Sequence, residues 1–79
     1  ATKHDLADWV VEALKDGGGR GTIVDVCKYV HDKYHEDLRA SGDLFYTWQY
    51  DIRWAATFLR DKGVLKPAGM SPKGLWELV

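Results

Sequence analysis

The second half of the chain constrains the fold most, because it holds a helix, a glycine stop and two short apolar segments in that order. Apolar residues recur at helical spacing from Phe45 until Gly63. Residues 64–66 then have the length of a strand that Pro67 stops, and a second apolar strand closes the chain after the turn-rich tip 67–74. This order predicts a winged helix-turn-helix in which the hairpin forms the wing.

The first helix is predicted over residues 2–15, where apolar side chains recur at three- and four-residue intervals. The glycine-rich stretch 17–21 ends it, because glycines forfeit helix propensity and permit positive φ. This stretch lacks the Lys-Ser/Thr ending of a phosphate-binding P-loop and follows a helix rather than a strand. We therefore interpret it as a flexible turn.

A second helix is predicted to begin after Thr22, because Asp25 follows three residues later as in a capping box. It runs to a point between residues 35 and 38, and a Ser-Gly-Asp turn at 41–43 precedes the third helix. The predicted class is therefore α+β and mainly helical, with three helices followed by a two-stranded β-hairpin wing. Residues 1–79 form one domain.

The composition is that of a globular domain, with 46% hydrophobic and 13% aromatic residues. A single cysteine excludes an internal disulfide and fits a reducing compartment. No apolar run approaches the roughly 18 residues that a membrane span needs, and no signal peptide is visible. These features predict a soluble cytoplasmic domain without a membrane partner.

The charge distribution allows phosphate binding only in the second half of the chain. The formal net charge is −1. Residues 1–43 hold six basic and nine acidic side chains, whereas residues 44–79 hold five basic and three acidic ones. A local basic surface can therefore form on the later elements, although an asymmetry this small is also common on ordinary surfaces.

The third helix is predicted to be apolar around more than half of its circumference and polar along one remaining arc. At about 100° per residue, its apolar side chains fall on two adjoining sides. The polar arc comprises Tyr46, Gln49, Tyr50, Arg53, Thr57 and Arg60. Such a helix is packed into a domain on two sides and shows its third side to solvent or to a partner.

The polar arc has the chemistry of a helix that reads the DNA major groove. Gln49, Arg53 and Thr57 stand one turn apart and can face successive bases, since Gln pairs with adenine and Arg with guanine. Arg60 is predicted beside the DNA backbone. The hydroxyls of Tyr46 and Tyr50 are predicted phosphate donors. The competing interpretation is a solvated helix face.

Two further segments are candidate DNA contacts. The wing tip offers Ser71 and Lys73 to the backbone or the adjacent minor groove, although an ordinary hairpin loop explains the tip equally well. In the glycine-rich stretch, Arg20 can reach phosphate, and Thr22 with the start of the second helix can offer backbone N–H groups.

Residues 51–65, DIRWAATFLRDKGVL, and residues 74–78, GLWEL, carry a family resemblance. They resemble the N-terminal winged-helix domain of Mrr-type, modification-dependent restriction endonucleases. The matching pairs and triplets are Trp54-Ala55, Phe58-Leu59, Gly63-Val64-Leu65 and Gly74-Leu75-Trp76. The similarity extends more loosely over the whole chain, and most of the matching positions are core or turn residues.

The resemblance implies a bacterial DNA-binding module that targets an attached nuclease or other effector to double-stranded DNA, with or without modified bases. Since the chain begins at Ala1 without Met, we expect it to be part of a longer protein. Two departures concern the DNA contact. Asp51 stands where the family often has Arg, and Arg53 where a small residue is common, so the basic contact has moved or DNA binding is weaker.

Neither catalysis nor metal binding is predicted for this domain. The acidic residues are spread over helix surfaces, and the family's nuclease motif is absent from the chain. Cys27, His31 and His35 recur every four residues, as zinc ligands can, but no fourth ligand is evident. A buried cysteine and two surface histidines explain this spacing better, and no cofactor is expected.

A protein-interaction module is the alternative function. The near-neutral charge and the surplus of aromatic residues favour a winged helix that binds a protein or forms a homodimer without binding DNA. Tyr46, Tyr50 and Trp54 would then form the contact.

Overall fold

The computed structural model describes residues 2–79 and contains three α-helices and two short β-strands. In chain order these are α1 (Lys3–Asp16), β1 (Arg20–Thr22), α2 (Ile23–Arg39), α3 (Leu44–Asp61) and β2 (Leu75–Glu77), with a 3-10 turn over Ala68–Met70. The predicted class, α+β and mainly helical, is confirmed. Each helix also begins within one residue of its predicted start.

The start of α2 is fixed by the predicted capping box. The backbone N–H of Thr22 donates to the Asp25 carboxylate at 3.1 Å, and the N–H of Asp25 donates to the Thr22 hydroxyl at 3.2 Å. These bonds satisfy donors that a helix start leaves unpaired. The bond from the Thr22 N–H also stabilises the charged form and lowers the pKa of Asp25.

The hydrophobic core lies between the three helices and is closed by the C-terminal segment. Its largest fully buried side chains are Leu6, Val10, Leu14, Val26, Val30, Leu38, Ile52 and Leu65. Along α3 the buried residues recur at three- and four-residue spacing, as the apolar pattern predicts. Trp76, 9% exposed, joins this core from β2.

The two strands form one antiparallel sheet, with Arg20 opposite Glu77 and Gly21 opposite Trp76. The returning strand was predicted to pair with residues 64–66. That contact is present but short, since it consists of a β-bridge between Leu65 and Leu78 and neighbouring backbone hydrogen bonds. The flexible-turn interpretation of residues 17–21 is wrong at its end, because the last two of them belong to β1.

Two glycines with positive φ lie at the end of α3 and at the end of the turn segment 67–74. Gly63 has φ of 75° and follows the last turn of α3, where a left-handed residue stops a helix. Gly74 has φ of 80° immediately before β2. Between them the tip folds into the 3-10 turn, from which Met70 projects with 72% of its surface exposed.

Among residues 2–79, no helix combines the length and the apolar character that crossing a bilayer requires.

Candidate nucleic-acid interface

One side of α3 is open along its length. Tyr46 is 83% exposed and Tyr50 76% exposed. Gln49, Arg53 and Thr57 are exposed on the same side. These five residues, called the α3 stripe below, lie where helical periodicity predicts them, because the opposite side packs on α1 and α2.

Arg60 departs from the predicted arrangement. Its side chain is only partly exposed, and its Nε is buried without a hydrogen-bond partner among the described residues. The chain turns back after Gly63, and the Gly63 N–H donates to the Arg60 carbonyl at 3.1 Å. The Arg60 side chain is less exposed than those of the five residues of the α3 stripe.

A shallow depression runs along one flank of the stripe, and α1 contributes to it. It is lined by Lys3, Tyr50, Asp51, Arg53, Trp54 and Thr57. The ammonium of Lys3 lies 4.5 Å from the centre of the Trp54 ring, a cation–π contact. His4 meets the edge of the same ring at 5.4 Å. The first turn of α1 therefore covers Trp54, which was predicted to be exposed in a protein-interaction surface.

Asp51 places a carboxylate in this first depression. Asp51 lies on the flank of α3, where it accepts a hydrogen bond from the Thr47 hydroxyl at 2.7 Å. However, the same depression is lined by Arg53, so the acidic and basic groups border one surface.

A second depression lies on the other flank, between α2 and α3. It is lined by Ile23, Val24, Cys27, Lys28, Gln49 and Arg53. Burial raises the pKa of the Cys27 thiol, and the nearby Arg53 charge opposes that rise. Arg53 borders both depressions and is therefore the central cation of the surface.

The turn segment 67–74 and the glycine-rich stretch 17–21 supply fewer exposed groups than predicted. The Ser71 Oγ is buried and has no hydrogen-bond partner in the described part of the chain, so Lys73 is the exposed one of the two predicted contact residues at the tip. Arg20 is exposed on β1. The Thr22 hydroxyl is used in the helix cap, and the Asp25 carboxylate beside it opposes an anion at this helix start.

A polar network between α1 and α2 was not foreseen. The Glu12 carboxylate accepts hydrogen bonds from Tyr29 at 2.9 Å and from Tyr34 at 2.7 Å, and it pairs with Lys33 at 2.9 Å. The Tyr34 hydroxyl, and then the Lys33 ammonium, lower the pKa of Glu12. Glu12 in turn raises the pKa of both partners. Trp9 stacks on Tyr34 with ring centres 4.1 Å apart.

The predicted buried cysteine with two surface histidines on α2 is found only in part. Cys27 and His35 are partly buried and His31 is exposed, and the centres of the His31 and His35 rings lie 4.8 Å apart. Within residues 2–79, no group of three or more His, Cys, Asp or Glu side chains is placed to hold a metal ion.

Comparison of the chain with protein-family models, with curated proteins and with solved structures gives no match. The resemblance to Mrr-type winged helices therefore stays a prediction from the quoted motifs.

Proposed function

We propose that the domain is a winged-helix module that binds double-stranded DNA and targets a restriction- or defence-type effector in the same protein. In this proposal the third helix, residues 45–62, enters the major groove, and the wing tip 67–74 rests on the backbone or the minor groove. The observation that carries the proposal is the position of Arg53, which is exposed in the middle of α3 and borders both depressions.

The α3 stripe supplies both kinds of contact that a groove reader needs. A guanidinium can pair with guanine O6 and N7, and a Gln amide can pair with adenine N6 and N7. Arg53 and Gln49 stand one turn apart, so these contacts fall on neighbouring base pairs. The exposed hydroxyls of Tyr46 and Tyr50 can donate to phosphate oxygens, which fixes register without adding sequence information.

Catalysis is assigned to another part of the protein. The exposed groups gathered around α3 are binding groups, and the proposal gives this domain no chemical step. An attached effector, such as a nuclease domain, would perform the reaction on DNA that the module holds.

Titration of the domain with a fluorescent DNA duplex tests the proposal. Affinity should fall steeply as salt rises, because phosphate contacts release counterions from the duplex. The measurement should use several unrelated sequences, since non-specific contacts provide a baseline for any domain of this kind. Absence of salt-dependent binding to all of them would refute the proposal.

A second candidate function is protein binding or dimerisation through the same stripe. The exposure of Tyr46 and Tyr50, 83% and 76%, favours it, because large exposed aromatic side chains are enriched at protein interfaces. Analytical ultracentrifugation separates the two functions. A concentration-dependent dimer that is lost on changing both tyrosines to Ser would support this candidate, and a strict monomer would count against the dimer.

A further inference from the structure

Two lysines on other helices flank the α3 stripe. Lys3, in the first turn of α1, lines the first depression, and Lys28, in α2, lines the second. Both side chains are exposed. Since Arg53 lines both depressions, it lies between the two lysines, and cations from three helices border one surface.

The lysines lie on different sides of α3. Lys3 contacts Trp54, whereas Lys28 shares the second depression with Gln49. At 3.6 residues per turn, Trp54 and Gln49 point about 140° apart around the helix. Arg53 falls within the arc between them, so one lysine stands on each flank of the exposed stripe.

We propose that Lys3 and Lys28 contact the two phosphate rows that border the major groove, one on each side of α3. This inference rests on the proposed function. An α-helix with its side chains is about 10–12 Å across, and the major groove is about 12 Å wide. Side chains on the two flanks of an inserted helix therefore face opposite DNA strands.

The local charge fits this role even though the whole chain is slightly acidic. The residues that line the two depressions include three cations, Lys3, Lys28 and Arg53, and one carboxylate, Asp51. Lysine is suited to phosphate contact because its ammonium is a point charge on a long flexible stem. The two lysines thus add affinity and position α3, while Arg53 and Gln49 face the base edges.

The test compares Lys3→Gln, Lys28→Gln and the double variant with the wild-type domain. The control is Lys15→Gln, because Lys15 is exposed near the other end of α1, about 18 Å along the helix from Lys3, and lines neither depression. Affinity for one duplex is measured between about 50 and 200 mM salt. Circular dichroism and thermal denaturation check that each variant is folded.

Each flanking substitution should reduce the slope of log affinity against log salt by about 0.9, and the two reductions should add in the double variant. Lys15→Gln should keep the wild-type slope. Lys3→Arg, which keeps a cation over Trp54, should also have the wild-type slope. This variant therefore separates the effect of the charge from an effect on folding. On single-stranded DNA of the same length, the slope should fall no further in the double variant than in one of the single variants.

The outcomes separate this inference from the proposed function. Absence of DNA binding by the wild-type domain would overturn both. Salt-dependent binding with a slope that neither lysine substitution changes would overturn the flanking contacts alone. If the two substitutions reduced the slope additively, and by the same amount, on single-stranded and on duplex DNA, the assignment of the lysines to opposite strands would be overturned.

Discussion

The Tyr34 hydroxyl donates to both carboxylate oxygens of Glu12, at 2.8 and 2.7 Å, and so links α2 to α1. Tyr34 is also the residue at which α2 bends, with φ of −116° and ψ of 17°. The bend and the hydrogen bond lie at the same place, where Trp9 stacks on the Tyr34 ring. This contact connects the two helices outside the hydrophobic core.

The Glu12–Tyr34 contact makes stability depend on pH. Because hydrogen bonds lower the pKa of Glu12 in the folded state, its stabilising effect is complete above the unfolded value of about 4.5. The effect is lost as the pH falls through the lower folded-state pKa. Glu12→Gln should therefore be less stable than wild type near neutral pH, and the difference should shrink in acid.

Urea denaturation from neutral pH down to pH 3 measures this difference. Asp8→Asn is the matched control, since Asp8 is an exposed carboxylate on the same helix. If the difference in the free energy of unfolding between Glu12→Gln and wild type stayed constant over the whole pH range, the role of the charged carboxylate would be contradicted.

The left-handed backbone at Gly63 should resist substitution. An added Cβ would meet no atom within 4 Å there, so space is not limiting, but φ is 75°. A left-handed residue with a side chain costs about 1–2 kcal/mol, and Gly63→Ala should lower the free energy of unfolding by that amount. Gly69→Ala is the control, since Gly69 is equally open and lacks a positive φ. Equal effects of the two substitutions in urea denaturation would show that backbone strain is not the cause.

Removal of the Asp51 charge should strengthen DNA binding. The carboxylate lines the first depression beside Arg53 and Lys3, where it repels phosphate. Asp51→Asn keeps an oxygen that can accept the Thr47 hydroxyl, so the fold should be retained. We expect affinity for duplex DNA to rise by up to about fivefold at low salt, within the range of a single exposed charge pair.

The control for this prediction is Asp61→Asn at the end of α3. Asp61 is exposed and lines neither depression. If both substitutions strengthen binding equally, overall charge and not the position of Asp51 determines the effect.

The helices could be predicted from the sequence because each carries an apolar pattern over several turns and a recognisable start, such as the Thr22–Asp25 cap. The strand β1 could not be predicted from the sequence. Its three residues follow three glycines and are too few to show the alternation of apolar and polar residues that is typical of a strand. Its partner, Trp76 with its neighbours, lies far along the chain, so the pairing depends on tertiary structure.

The candidate site could be predicted only where it depends on local sequence and not on tertiary structure. The exposure of Gln49 and Arg53 follows from their angle around α3, and that angle can be read from the spacing of residues in the sequence. Lys3 and Lys28 lie on other helices, and their proximity to α3 depends on how those helices pack. The partial burial of Arg60 likewise does not follow from its angle around α3.

Substitution of Arg53 tests the proposed role of α3 in DNA binding. Arg53→Ala and the control Arg39→Ala, an exposed position in the last turn of α2, should be titrated with the duplex that the wild-type domain binds best. We expect Arg53→Ala to weaken binding by about 1–3 kcal/mol and to reduce discrimination between duplex sequences, while Arg39→Ala binds like wild type. Wild-type affinity and sequence preference in the Arg53→Ala domain would contradict the placement of α3 in the major groove.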